Sequence, residues 1–202
     1  MHNVLLIAFA TTIMSGGLSD RTTWKADKSH SQVQFSVSHM GIAEVTGRFT
    51  EFDVTVVGSE DDFADATIEA TIKTPSINTD NERRDGHLRS DDFLNVEKFP
   101  EMNFRSTSVK KTGKDTYAIS GDLTIRDVTK SVVLDTRFKG TIKDTRGGKK
   151  AAFKAVTTIN RFEFGTKWKG VLDTGGLIAG ENVDITLLME LNQQQKEESN
   201  KQ

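Results

Sequence analysis

The sequence predicts an all-β domain, a closed antiparallel barrel or a sandwich of about eight strands, with one or two short helices near residues 80–95. Three observations carry this. Apolar and polar residues alternate with a period of two along most of the chain from Trp24 onward, which in a strand turns one face to the core and the other to water. Glycine- and aspartate-rich breaks separate the alternating runs, so the strands follow one another as hairpins. The clearest departure is the charged stretch 81–93, and the chain's two prolines, Pro75 and Pro100, bracket it.

In chain order, Val33, Phe35, Val37 and His39 alternate with glutamines and serines. At Phe49-Thr50-Glu51-Phe52 the parity slips by one residue, and a β-bulge there would put Phe49 on the same face as Phe52, Val54 and Val56. Ala66, Ile68, Ala70 and Ile72 form the next apolar face, after a polar break from Gly58 to Asp62. Thr79 to Glu82 fits a capping box, and Ser90 stands where it can cap a second helical turn. An extended run follows through Met102, Phe104 and Ser106. Tyr117, Ile119, Gly121, Leu123 and Ile125, then Val132, Leu134, Thr136, Phe138 and Ile142, and finally Val183, Ile185, Leu187, Met189 and Leu191, complete the series. Lys111 to Asp115, Arg146 to Lys149 and Gly175-Gly176 are the intervening turn signals.

A chain of 202 residues suits one domain with a full core. The aromatic set is 12 Phe against 2 Trp and 1 Tyr, so its rings bring almost no polar groups that need partners inside. A net charge of −2 provides no basic field for nucleic acid or an anionic membrane, and none is expected as a partner. With no cysteine, disulfides, thiolate catalysis and cysteine-ligated zinc are excluded. The uncharged run from Val4 to Met14, followed by Ser15, Gly16, Gly17 and Ser19, reads as a secretory signal and is too short to span a membrane. Its leading Met1-His2-Asn3 lacks the usual basic residue. The expected organisation is a signal over 1–19, a domain over 20–191 and a polar solvated tail over 192–202; the signal implies export, against the alternative of an apolar arm packed on the domain.

Four chemistries compete for the polar residues. His30, His39, Asp85 and His87 are of metal-ligating type, but Asp85-x-His87 fits no helical ligand spacing, and a hydrogen-bonded histidine at a strand end explains His39 equally well. Asp85, Asp91, Asp92, Glu97 and Glu101 offer carboxylates for acid–base work, and nothing in their spacing selects a pair. No Gly-x-Ser-x-Gly elbow occurs, and the glycine-rich stretches lead into strands rather than helices, which removes serine hydrolases and phosphate loops. The remaining candidate is the interior itself. Its inner face would comprise Phe35, Val37, Phe49, Ile68, Ile72, Met102, Phe104, Ile119, Leu123, Leu134, Phe138, Phe153, Ile159, Ile185 and Leu187. Periodicity does not say whether that face is packed shut or hollow, and taken alone it favours a packed core. A hollow one suits a hydrocarbon chain, each five-carbon unit contributing up to ~4 kcal/mol at about 0.8 kcal/mol per CH₂.

Seven short motifs lie in order along the chain: His30-Ser31, Phe35-x-Val37-x-His39-Met40-Gly41, Gly47-Arg48-Phe49, Arg84-Asp85-x-His87-Leu88, Phe99-Pro100, Gly121-Asp122-Leu123-Thr124-Ile125-Arg126 and Arg161-x-x-Phe164-Gly165. Together, from about Thr23 to Leu191, they resemble the YceI-like family of polyisoprenoid-binding, lipocalin-like proteins. The resemblance implies an eight-stranded antiparallel barrel holding a long-chain amphiphile, of polyisoprenoid or isoprenoid-quinone type, without enzymatic activity. It also implies that the charged stretch helps cover one barrel end. The fifteen inner-face residues are then the expected ligand contacts. Arg48, Arg84 and His87 are candidates for the head group, against the alternative that they pair with Asp85 and neighbouring carboxylates. No metal or cofactor is expected besides the lipid, and homodimerisation stays open. The competing expectation is a lipid-modifying or hydrolytic enzyme built on His39, Asp85 and His87.

Overall fold

A computed structural model describes residues 21–59, 62–145 and 147–195. The expected signal at 1–19 and the end of the expected tail, 196–202, lie outside them. Among the described residues there are eleven strand segments, and they combine into eight staves. β1 (Thr22–Ala26) and β2 (Gln32–His39) both run antiparallel to β11 (Ala179–Gln193) and form one interrupted stave. β3 (Ala43–Phe49) and β4 (Phe52–Gly58) form the second, and β5 (Thr67–Lys73) with β6 (Ile77–Asn78) the third. β7 (Glu101–Gly113), β8 (Thr116–Ile125), β9 (Val128–Lys143), β10 (Lys149–Asn160) and β11 follow in simple antiparallel succession. The ring closes where Trp24, Lys25 and Ala26 pair with Gln193, Asn192 and Leu191. Closure leaves no exposed sheet edge along the joined staves, and eight strands enclose room for packed side chains or one ligand.

The parity slip between Phe49 and Phe52 is the break between β3 and β4. The neighbouring stave bends at the same level, through a 3-10 turn at Thr74–Ser76. The two bends are stitched together: Thr50 N–H donates to the Ser76 carbonyl (3.2 Å), Glu51 N–H to Ser76 Oγ (3.1 Å) and Lys73 N–H to the Glu51 carbonyl (2.9 Å). Two inner-face glycines admit rings that a methyl group would exclude. A Cβ at Gly47 would lie 2.3 Å from the Phe35 ring, and one at Gly121 would lie 2.4 Å from Phe104. The expected solvated tail begins later than 192, because β11 continues through Gln193 and Gln194 N–H donates to the Thr23 carbonyl (2.8 Å). Pairing with β1 gives that polar backbone its partners without needing an apolar face.

One α-helix, α1 (Glu82–Arg89), lies between the third and fourth staves. Its cap differs from the expected box. Asn81, not Thr79, accepts from the Arg84 N–H (3.0 Å), while Thr79 is drawn to Asp85. Ser90 ends the helix rather than starting a second one, its hydroxyl donating to the His87 carbonyl (2.8 Å). No helix among the described residues is long and apolar enough to cross a membrane.

Candidate functional site

The barrel is hollow. Its interior holds a cavity of about 440 Å³, lined almost wholly by apolar side chains. Inner-face residues such as Phe35, Val37, Phe49, Ile185 and Leu187 keep partial exposure although they point inward, so the surface they expose faces this space. Every predicted inner-face residue lines it except Phe138. Left dry at about 24 cal/mol per Å³, such a volume would cost on the order of 10 kcal/mol, comparable to the whole stability of a domain.

The two ends differ. At the end where β1 pairs with β11 the lumen is filled by a second apolar cluster of Trp24, Val56, Phe63, Ala151 and Leu191, with Phe138 and Phe153 packed against it. This is where Phe138 belongs, behind the floor rather than on the wall. Phe63 is the hub: its ring centroid lies 5.6 Å from Trp24, 5.7 Å from Phe138 and 4.9 Å from Phe153. Such tilted and edge-to-face pairs are the favoured geometries for aromatic rings. Periodicity could not place Phe63, because it sits on the connection between β4 and β5 and not on a strand.

At the other end α1 and the turn after it form a lid. Asp85 is 3% exposed, and its Oδ1 accepts from the Thr79 N–H (2.9 Å) and hydroxyl (2.5 Å). Thr79 in turn accepts from Arg84, Nε to Oγ1 (2.7 Å) and Nη2 to the carbonyl (2.8 Å). Three arginines tie the lid region to the staves. Arg89 donates to the Pro75 and Ile77 carbonyls (3.0 Å each), and Arg126 donates to those of Asp91 (3.0 Å) and Phe93 (2.8 Å). Arg161 is 6% exposed and lines the cavity, and its guanidinium donates to the carbonyls of Gly180 (2.8 Å), Ala179 (3.0 Å) and Trp168 (2.9 Å). Burial pulls its pKa below the usual arginine value, partly offset by the charge of Glu181. Asp91, on the turn, is held below the usual carboxylate range by hydrogen bonding to Lys167, against the opposing effect of burial.

The predicted head-group candidates separate. Arg84 and His87 line the cavity; Arg48 does not, and faces Asp80 at 3.4 Å on the surface. His87 Nε2 lies 2.9 Å from Asp92 Oδ2, and its ring meets Phe93 and Trp168 edge-on at 5.0 and 5.6 Å. So Arg84 and His87 both face the lumen and already have protein partners. Arg161 was visible in sequence only within a motif, and nothing in its spacing distinguished a buried cation from a surface one.

The four metal-type residues do not form one ligand sphere. Among the described residues the group able to converge on a cation is Asp27, His30 and Glu190, which contains neither His39, Asp85 nor His87. Lys150 already places its ammonium there, 2.7 Å from Glu190 and 3.3 Å from Asp27. Asp27 is held far below the usual carboxylate range: burial acts to raise it, and hydrogen bonds from His30, Asn192, Ser29 and Lys150 outweigh that.

The polar end also has a break in the wall. The third stave stops at Asn78 and pairs with β3 only at Arg48 and Phe49, so the edge of β3 from Ala43 to Gly47 has no strand partner beside the lid among the described residues. The apolar tip of that hairpin stands in water, with Met40 42% and Ile42 91% exposed.

The chain is 39% identical over 194 residues to the Protein YceI of Escherichia coli O17:K52:H18 (strain UMN026 / ExPEC), covering 95% of this chain and 98% of that one. It is 38% identical over 166 residues to a UPF0312 protein of Pseudomonas putida (strain W619), covering 81% and 86%. Among solved structures it is similar to BcnA of Burkholderia cenocepacia, with a TM-score of 0.71, 20% identity and coverage of 82% and 98%. It is also similar to a polyisoprenoid binding domain from Saccharophagus degradans, with a TM-score of 0.61, 14% identity and coverage of 83% and 97%. The family model of the YceI-like domain matches residues 24–191, from the strand that closes the barrel to the one it closes against, and the chain belongs to that family.

Proposed function

We propose that this protein is a non-enzymatic carrier or store for a long-chain amphiphile of polyisoprenoid or isoprenoid-quinone type, acting in the periplasm or outside the cell. The observation that carries the reading is the apolar cavity, floored by aromatic rings at one end and bordered by Arg84, His87 and Arg161 at the other. A hydrocarbon tail gains about 0.8 kcal/mol for each CH₂ it buries there, and a polar head finds the cationic donors Arg84 and Arg161 at the lid end. The polyisoprenoid-binding description of the Saccharophagus degradans domain of the same fold supports the ligand class. The apolar run near the N-terminus supports export.

Native mass spectrometry of protein produced in a bacterial host and purified without detergent tests this. The expected spectrum shows the chain with one lipid bound, and organic extraction releases that lipid. A spectrum of bare chain alone, with nothing extractable, would overturn it.

A further inference from the structure

We infer that Phe63 sets the depth of the cavity and thereby the length of hydrocarbon chain it accepts, an inference that rests on the lipid-binding reading. Phe63 and Phe153 line the cavity at its floor, whereas Trp24 and Phe138, which touch Phe63, do not. The Phe63 ring is thus the partition between the open lumen and the filled end of the barrel. Phe153 belongs to a strand and is part of the wall. Phe63 is delivered from the connection between β4 and β5, by the short 3-10 turn Phe63–Asp65.

That turn is held in place from its polar side. Asp62 caps it by accepting from the Ala64 N–H (3.1 Å), and the same carboxylate reaches across to Lys111 (3.2 Å) and the Tyr117 hydroxyl (3.3 Å) near the hairpin joining β7 and β8. Asp65 accepts from Ser59 N–H (2.9 Å), and its carbonyl accepts from Arg21 (3.0 Å). The ring is therefore positioned by a turn whose own hydrogen bonds, through Asp62 and Asp65, run to Lys111, Ser59 and Arg21 as well as to the cavity-lining Tyr117, as a fixed stop requires. Removing it adds the space the ring occupies, against Trp24 and Phe138, to the lumen. Two strand residues rise about 6.6 Å, or about 5 Å along the axis of a barrel whose strands tilt by ~40°, roughly the length of one isoprene unit.

The test uses wild type, Phe63→Ala and the milder Phe63→Leu, with Ala155→Phe as an opposing variant that puts a ring on the wall two residues above Phe153. Each full-length protein is stripped of lipid and offered an equimolar series of linear isoprenoid alcohols of graded length, and the bound population is read by native mass spectrometry. The expected result is a shift of the preferred alcohol upward by about one C₅H₈ unit in Phe63→Ala, a smaller upward shift in Phe63→Leu, and a downward shift in Ala155→Phe. If Phe63→Ala fails to fold, Phe63→Leu against wild type decides by the same shift. Binding with an unchanged length preference in the folded Phe63 variants overturns the inference and leaves the carrier reading standing. No binding of any alcohol by wild type overturns both.

Discussion

The two ends of this barrel close by opposite chemistry. The floor is made of rings and aliphatic groups with almost no solvent contact, Trp24 at 0%, Ala151 at 1% and Leu191 at 2%. The lid carries a smaller ring cluster of His87, Phe93 and Trp168 and is tied down by hydrogen bonds, among them Thr79 to Asp85, Arg126 to Phe93 and Arg161 to three carbonyls. Dispersion and apolar burial are lost only by opening a cavity or admitting water, so the floor resists local opening. Hydrogen bonds can be exchanged with water at small net cost, so a polar lid can open while the barrel stays folded. The carrier role proposed above would use that asymmetry, one permanent end and one that can be negotiated.

The largest expected effect comes from breaking the floor. Trp24→Ala should cost about 3–5 kcal/mol and lower the melting temperature by roughly 10 °C or more, read by calorimetry. The indole Nε1 has no hydrogen-bond partner among the described residues, so the side chain is held there by packing alone. A loss under 1 kcal/mol would show that the floor is not a structural core.

A smaller and local effect is expected at the lid. Asp85→Ala leaves the Thr79 N–H and hydroxyl without their acceptor and should cost about 1–3 kcal/mol. Hydrogen exchange should then accelerate over residues 79–90 and stay unchanged in β8 and β9. Uniform acceleration across the barrel would mean that lid and floor open together, and would erase the contrast.

The smallest effect concerns the polar latch of the floor. The hydrogen bond from Lys111 holds Asp62 below the usual carboxylate range, against the opposing effect of burial. A folded-state pKa below the unfolded value of about 3.9 adds stability above that pH, and the gain is lost as pH falls through the folded value. Asp62→Asn should therefore be less stable than wild type at pH 7 by under about 1 kcal/mol, given the exposure of the pair, and equal to it near pH 2. Urea midpoints at the two pH values measure this; a gap that persists at pH 2 would assign the difference to the turn's cap rather than to the charge.

Much of the wall was legible because its signal is local. Alternation at Val33, Phe35 and Val37, or at Ile119, Leu123 and Ile125, states which side of a strand is apolar, and the slip between Phe49 and Phe52 located a bend to the residue. The helix was legible from its charge and bracketing prolines, although its cap moved from Thr79 to Asn81: the helix starts at Glu82, so Asn81 stands at the cap, while the Thr79 oxygen accepts from the Arg84 side chain instead. Phe63 and Arg161 were not legible as site residues. One lies on a connection with no periodicity, and the other is a cation whose partners are carbonyls up to 19 residues away.

By itself the sequence determined the apolar face of each strand, the order of hairpins, the position of the charged insertion and the family. These depend on residue type and spacing, which a period of two reports directly. Only the tertiary structure decided that Trp24 to Ala26 meets Leu191 to Gln193 to close the ring, that the inner face is hollow, and that one end is floored by aromatic rings and the other lidded by hydrogen bonds. Those outcomes depend on what stands opposite each side chain across the lumen, and the distance across the lumen is fixed by strand number and tilt, which no local pattern encodes.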